Sequence, residues 1–226
     1  MNRAVLSIIL IILILFSFGI SCSNHPPDII EVFAQKNLNK DPQTGVGDNT
    51  VSLFLHLQDE EGIDDIEAIY CIHDKAELFW ELSADMWTFF EQDGETWIGS
   101  NGLTLPGYES LPGGSFRVVV IDAAGERNLS EIYLNDSAFD QNIEFPLLRI
   151  SGETTIEIIS PYPENTIWAF NSGNQPTGLF KTKEISVPVT SIVTKNNKAK
   201  TAAFYVYAYS NELASGLVSG PFFWEE

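Results

Sequence analysis

The dipeptide Asp93-Gly94 separates two short aromatic runs. A two-residue hairpin turn of type I′ needs positive φ at both central residues, which Asp tolerates and Gly readily adopts, so this dipeptide predicts a tight β-hairpin. The turn sets the strand register and predicts that Phe90 pairs with Trp97 and Phe89 with Ile98. Because both faces of the hairpin are then aromatic, it must lie between layers, face a second unit or expose a platform of rings.

Short alternating segments predict that the rest of the chain is also β-structure. Val51, Leu53, Leu55 and Leu57 alternate with more polar residues, which is typical of a strand with one buried face. Strands and turns follow one another at short intervals, a pattern typical of an antiparallel sandwich. The other predicted strands are 28–34, 66–73, 78–82, 116–122, 130–134, 155–160, 166–170, 184–194, 201–210 and 216–223, and the polar segments 35–49 and 171–178 are predicted loops.

Two Asp-Gly turn motifs carry a family resemblance. Residues 55–63 (LHLQDEEGI) and 114–126 (GSFRVVVIDAAGE) resemble the immunoglobulin-like and fibronectin-III-like modules of bacterial surface proteins. The resemblance implies an all-β fold with an immunoglobulin-like antiparallel β-sandwich domain over residues 28–135. We predict a linker at 136–144 and a smaller β-rich C-terminal domain at 145–226, whose last two strands resemble those of a fibronectin-III module.

The N-terminus has the pattern of a targeting segment. Arg3 precedes an apolar run over residues 4–20, whose length fits a signal-peptide core or a short spanning helix. Residues 18–22 (FGISC) then resemble the lipobox of bacterial lipoproteins. This resemblance implies a signal peptide at 1–21, cleavage before Cys22, acylation of that cysteine and a lipidated tether at 22–27.

Two alternatives to the lipoprotein interpretation stay open, an uncleaved anchor helix and an ordinary secretory signal peptide. Neither explains a cysteine at position 22. Two or more acyl chains would attach the protein stably to a membrane. Within the family, Ser23 in place of Asp after the lipidated cysteine favours the outer membrane, so we expect a lipid-anchored protein of the cell envelope, at the outer membrane or facing the periplasm.

Charge and motif content exclude several classes of function. The chain has 12 Lys and Arg against 31 Asp and Glu, a formal charge of −19, and therefore lacks the basic surface that nucleic-acid binding requires. The sequence has no GxSxG, GxxxxGK[ST] or three-glycine dinucleotide motif, and its three histidines are scattered. We therefore predict no catalytic residues and no cofactor. Cys71 has no CxxC partner or adjacent basic residue, so a buried, inert thiol is expected.

Acidic residues after the second predicted strand offer oxygen ligands of the kind that calcium prefers. Their spacing matches no EF-hand, so no metal site is predicted, and a solvated acidic loop is the alternative. The residues that could supply calcium ligands are Asp59, Glu60, Glu61, Asp64 and Asp65, with Asp122 from a later turn.

Aromatic residues are the remaining candidates for a binding surface. They either pack as core or as a seam between units, or offer rigid anchors to a protein or glycan partner. We predict a non-enzymatic binding or structural role. The alternative is a carbohydrate-active enzyme or its accessory carbohydrate-binding module. The candidate surface comprises Phe90, Trp97, Tyr205, Tyr207 and Tyr209.

Overall fold

The protein is all-β, which confirms the predicted fold class. The computed structural model describes residues 25–223 except 93, 106–110, 137–139, 141, 152–153 and 194–200. Among these residues no helix is long and apolar enough to cross a bilayer. The elements are β1 (Asp28–Lys40), β2 (Gly47–Gln58), β3 (Ile66–His73), β4 (Leu78–Ser83), β5 (Thr88–Gln92), β6 (Glu95–Leu103), β7 (Gly114–Asp122), β8 (Arg127–Leu134), β9 (Leu147–Ser151), β10 (Thr155–Ile159), β11 (Asn165–Asn171), β12 (Pro176–Thr182), β13 (Ser186–Pro188), α1 (Val189–Ile192), β14 (Thr201–Ser210) and β15 (Ser215–Phe223).

One large sheet connects the two halves of the described chain. Its eight strands run in the order β12-β11-β14-β15-β1-β2-β6-β5, so strands from both sides of the predicted linker belong to it. The join is a parallel pairing of β1 with β15, from Asn37 opposite Gly216 to Lys40 opposite Ser219. Two smaller sheets, β4-β3-β7-β8 and β13-β10-β9, accompany it. The domain boundaries at 28–135, 136–144 and 145–226 stay predictions.

The first core lies between the four-stranded sheet and one face of the eight-stranded sheet. Alternation in β2 turns Leu53 and Leu55 into it, where they meet Ile69 and Phe116 from the opposite sheet. Cys71 is also fully buried there, and burial raises the pKa of its thiol to about 12. The predicted burial of Cys71 is confirmed, and a thiol that is protonated at neutral pH fits the inert character expected of it.

The second core lies between the three-stranded sheet and the opposite half of the same eight-stranded sheet. It contains Ile156 and Ile167, with Phe204 and Val206 from β14. A third, smaller cluster of Leu38, Leu217 and Phe145 lies where β1 and β15 meet. Since Phe145 directly follows the predicted linker, this cluster connects both halves to the segment between them.

The predicted loop over residues 35–49 is wrong at both ends, since only residues 41–46 lie between β1 and β2. β1 continues to Lys40, because polar side chains on this stretch form hydrogen bonds across the sheet and do not require solvent. Gln35 Nε2 donates to Tyr207 Oη at 3.1 Å, and Asn37 Nδ2 donates to Ser52 Oγ at 2.8 Å. The polar composition that indicated a loop therefore belongs to a strand at the centre of the sheet.

Two further local predictions are wrong, and one strand was not predicted. Residues 184–194 do not form one strand, since the short β13 is followed directly by α1. β12 begins inside the predicted loop 171–178, and β9 was not predicted. α1 buries Val189 and Ile192 in the second core. These two residues are three positions apart, which brings them to one side of a helix, whereas the sequence suggested the alternation of a strand.

Candidate functional site

The predicted aromatic residues of β5 and β6 and the predicted tyrosines of β14 lie on one face of the eight-stranded sheet. In β2, Phe54 and His56 alternate with core leucines and so point away from the first core, and Trp97 of β6 is paired with His56. In β14, Tyr205 and Tyr207 alternate with residues of the second core. We call the side of the sheet opposite both cores the outward face.

At one end of the outward face, aromatic and acidic side chains line a cleft of about 680 Å³. We call it the aromatic cleft and define it by four aromatic residues and the groups between them. The predicted pairing of Phe90 with Trp97 and Phe89 with Ile98 is confirmed and brings two of the rings together. The defining residues are Phe33, Phe54, Phe90, Trp97, His56, Glu31 and Glu95.

The rings of the cleft pack against one another and do not form a flat platform. Phe90 stacks near Trp97 with ring centroids 6.0 Å apart and planes inclined by 15°, and Phe54 meets Phe90 edge-on at 4.9 Å. Trp97 is only 8% exposed, whereas Phe90 is 37% exposed. Trp97 therefore forms an inner wall of the cleft, and Phe90 offers the accessible ring.

A histidine holds one carboxylate at the cleft. His56 Nε2 lies 3.1 Å from Glu95 Oε2, and the His56 ring lies 5.8 Å from the Trp97 ring. His56 is buried whereas the Glu95 side chain is 57% exposed, so the contact fixes a carboxylate that still reaches solvent. Among the described histidines, His73 has a structural position, since its Nδ1 accepts from Ala76 N at 3.0 Å.

The tyrosines continue the outward face towards its other end. The ring of Tyr205 meets the ring of Phe170 edge-on, with centroids 5.5 Å apart, and the ring centroids of Tyr207 and Trp168 lie 5.6 Å apart. Burial raises the pKa of both Tyr205 and Tyr207, so both phenols are neutral at physiological pH. Tyr209 is 40% exposed and makes this part of the face accessible.

A glycine allows the two parts of the face to meet. A Cβ on Gly216 would lie 2.2 Å from Asn37 Oδ1 and 2.7 Å from Tyr207 Cε2, closer than van der Waals contact permits. Without a side chain there, Tyr207 reaches across β15 to hydrogen-bond with Gln35 of β1. The tyrosines and the aromatic cleft are consequently joined by a row of side chains that form hydrogen bonds.

The sequence analysis missed the contributions of β1 and β2 to the site. Phe33 comes from β1, and Phe54 and His56 come from the outward side of β2. Phe54 and His56 alternate strictly with Leu53 and Leu55. Because every second residue of a strand faces the same side, this alternation could have predicted that both point away from the core. The burial of Lys36 was not predicted either. Its Nζ donates a hydrogen bond to the Leu111 carbonyl at 3.0 Å, and burial lowers the pKa of its amine.

Part of the predicted acidic set comes together. Carboxylate oxygens of Asp59, Asp65 and Asp122 lie within 4.8 Å of one another, whereas Glu61 and Asp64 are outside this group. The turn brings them close because Gly62 has φ of 102° and the Asp65 carbonyl accepts from Ala123 N at 2.8 Å. These three carboxylates could supply ligands to calcium, and calcium binding stays a prediction.

Replacing Asp59 with asparagine is expected to stabilise the protein at neutral pH in calcium-free buffer. Burial, followed by the nearby carboxylates of Glu61 and Asp65, raises the pKa of Asp59 although Glu61 N donates to it. A raised folded-state pKa means that ionisation opposes folding, so the penalty is present at pH 7 and disappears below the unfolded value of about 3.9.

The expected gain in Tm for this variant is about 1–3 °C at pH 7, with no gain near pH 3.5. Asp64→Asn is the matched control, because Asp64 is exposed in the same turn and lies outside the carboxylate group. Thermal unfolding followed by circular dichroism measures both. A lower Tm for Asp59→Asn at pH 7 in calcium-free buffer would contradict the expected cost of ionising Asp59 in the folded protein.

Cys22 and the predicted signal peptide at 1–21 lie outside the described residues. The structure does describe Asp28, where β1 begins at the end of the predicted tether. The first strand therefore starts six residues after the predicted acylation site, with Asp28 following the segment 22–27.

No protein-family model matches the chain, and no curated protein sequence matches it. Solved structures that show similarity include PorU from Porphyromonas gingivalis in its dimeric latent form, with 15% identity and a TM-score of 0.34 over 88% of this chain and 21% of that one. The 47-kilodalton lipoprotein Tp47 of Treponema pallidum has 10% identity and a TM-score of 0.42 over 87% of this chain and 50% of that one.

The N-terminal Ig1-2 module of the Drosophila receptor protein tyrosine phosphatase DLAR shows 13% identity and a TM-score of 0.39, over 86% of this chain and 98% of that module. This chain thus spans about a fifth of PorU and half of Tp47. Similarity at this level carries no argument about activity or partners. The all-β sandwich rests on the strand pairing itself.

Proposed function

We propose that this protein is a lipid-anchored, non-enzymatic binding protein of the cell envelope, and that the outward face is its binding surface. The observation that carries the proposal is a single sheet face that displays accessible aromatic rings in both halves of the described chain. Phe33 is 45% exposed, Phe90 37% and Tyr209 40%. Large aromatic side chains of this kind supply much of the energy at protein interfaces.

The packing of the face supports a binding role. Its side chains are held in place by contacts within the sheet, such as the Tyr207 to Gln35 and Asn37 to Ser52 hydrogen bonds. A partner that docks there meets side chains that are already ordered, which lowers the entropy lost on binding. A polypeptide partner is favoured over a glycan, because the cleft lies beside β5, the last strand of the described sheet, along which an extended chain can run.

Affinity capture from an envelope extract tests the proposal. The bait is the soluble fragment 23–226, in wild-type form and as the double variant Phe33→Ala with Tyr209→Ala, which removes two exposed rings from the outward face. Leu129→Ala with Tyr133→Ala is the matched control, because both residues are exposed on β8 of the four-stranded sheet. We expect saturable capture by the wild type and the control.

The outward-face variant is expected to retain that component at least roughly tenfold less strongly, as for interface anchors elsewhere. A captured glycan in place of a protein would correct the partner class and leave the surface assignment intact. Equal capture by all three baits, or a loss confined to the β8 variant, would contradict the proposed surface.

A further inference from the structure

The aromatic cleft is lined by carboxylates as well as aromatic rings. Its described ionisable lining groups are the carboxylates of Glu31 and Glu95 and the imidazole of His56, with no Lys or Arg among them. Aromatic rings attract cations through the negative potential of their faces, and carboxylates add direct ion pairing. Rings and carboxylates in one cleft therefore favour a cationic group over an anionic or neutral one.

We propose that the aromatic cleft binds a basic side chain of a polypeptide partner, with arginine preferred over lysine. The inference rests on the proposed function and names the chemistry of the partner at one end of the outward face. Arginine is preferred because its guanidinium is planar, stacks on aromatic faces and presents a fork of N–H donors to carboxylates. Lysine offers a compact charge that makes only the ion pair and a weaker ring contact.

The geometry of the cleft matches such a group. The ring of Phe90 runs nearly parallel to Trp97, with an interplanar angle of 15°, and its exposed part lies in the cleft where a guanidinium can contact it. Glu95 is held beside these rings by His56 at 3.1 Å and is more than half exposed. A carboxylate accepts several hydrogen bonds, so Glu95 can retain the histidine contact while it accepts from an incoming guanidinium.

The surroundings of the cleft favour a polypeptide over a small free amine. At about 680 Å³ the cleft is much larger than one guanidinium, and it opens onto the outward face where Phe33 is exposed. β5 is the last strand of the described sheet and contributes Phe90, so the cleft lies beside a sheet edge. An extended peptide can run along such an edge while one basic side chain enters the cleft.

Peptide titration tests the proposal with the soluble fragment 23–226 at about 0.15 M salt, where contacts between distant surface charges are largely screened. Three synthetic peptides differ only in carrying arginine, lysine or citrulline at the same positions, and calorimetry measures their affinity. We expect the arginine peptide to bind most tightly, the lysine peptide several-fold more weakly and the citrulline peptide at least roughly tenfold more weakly, because citrulline keeps the shape and loses the charge.

Two pairs of variants locate the site. Glu95→Gln is expected to weaken binding of the arginine peptide by roughly tenfold, whereas Glu91→Gln removes the same charge from the opposite side of the same hairpin and leaves binding unchanged. Phe90→Ala is expected to weaken binding several-fold, whereas Phe89→Ala, at the neighbouring exposed ring, leaves it unchanged. Circular dichroism checks that each variant is folded, which the exposure of all four side chains favours.

Equal binding of the arginine and citrulline peptides would overturn the proposal. Equal effects of Glu91→Gln and Glu95→Gln would also overturn it, because they would indicate that the peptide is attracted by the net charge of the protein alone. Failure of all three peptides to bind would also overturn it. If envelope capture still depended on Phe33 and Tyr209 in that case, the proposed binding surface would stand and only the basic side chain would be wrong.

Discussion

Replacing Cys22 with alanine is expected to abolish acylation and release the protein from membranes. The prediction follows from the FGISC sequence at residues 18–22, whose likeness to a lipobox implies that Cys22 becomes the acylated N-terminal residue. Attachment through two or more acyl chains is lasting, whereas a chain without them keeps only weak membrane contacts. Those contacts are further weakened by the formal charge of −19, which repels anionic lipid headgroups.

Metabolic labelling with a palmitate analogue and fractionation of the envelope measure this effect. Wild-type protein is expected to carry the label and to sediment with membranes. Cys71→Ala is the matched control, because Cys71 is fully buried and its removal leaves the label in place. A Cys22→Ala protein that lacks the label but stays in the membrane would support an uncleaved helix, and a labelled Cys22→Ala protein would contradict acylation at this residue.

Leu38→Ala is expected to lower the free energy of unfolding by about 2–5 kcal/mol, the range found when a fully buried leucine is truncated. Leu38 is completely buried and packs with Leu217 and Phe145 at the junction of β1 and β15. Since this junction joins the two halves of the eight-stranded sheet, we expect the loss to reach both. Hydrogen exchange should accelerate in β2 on one side and in β14 on the other.

Urea unfolding gives the size of this effect, and Leu129→Ala serves as its control. Leu129 is exposed on β8, so its truncation is expected to change the free energy of unfolding by no more than about 0.5 kcal/mol. Accelerated exchange confined to β11, β12, β14 and β15 would show that the two halves of the sheet unfold independently. That result would contradict the expectation that the loss of stability reaches both halves.

Local features of the fold could be predicted because they depend on neighbouring residues. The sequence Asp93-Gly94 predicted a two-residue hairpin; Asp93 lies outside the described residues, and the pairing of Phe90 with Trp97 that the prediction requires is present. Alternation likewise identified β2, since its core leucines recur at every second position. The parallel pairing of β1 with β15 could not be predicted, because it joins distant segments and no turn specifies its register.

In the candidate site too, contacts between residues near in sequence could be predicted and contacts between distant strands could not. Phe90 and Trp97 were predicted as a pair, but their enclosure depends on Phe33 and Phe54 from strands that are remote in sequence. Tyr205, Tyr207 and Tyr209 were predicted as further candidates, from a different strand. They share a face with the cleft only because β15 lies between β14 and β1, a consequence of long-range pairing that alternation alone does not reveal.

The sequence identified a set of acidic residues as possible calcium ligands but did not show which of them come close together. The predicted set was Asp59, Glu60, Glu61, Asp64 and Asp65 with Asp122, and only Asp59, Asp65 and Asp122 form the close group. Its selection depends on the backbone bond from Ala123 N to the Asp65 carbonyl, which holds two distant turns together. Such a contact has no signature in the order of residues along one turn.

Site-specific photo-crosslinking in intact cells tests the central claim, which is that the outward face of the lipid-anchored protein is its binding surface. Photoreactive residues replace Phe33 or Tyr209 on the outward face and, as controls, Leu129 or Tyr133 on the four-stranded sheet. We predict that both outward-face probes crosslink the same envelope component and that the control probes do not. Crosslinks that arise mainly from Leu129 and Tyr133, with none from Phe33 and Tyr209, would contradict the claim.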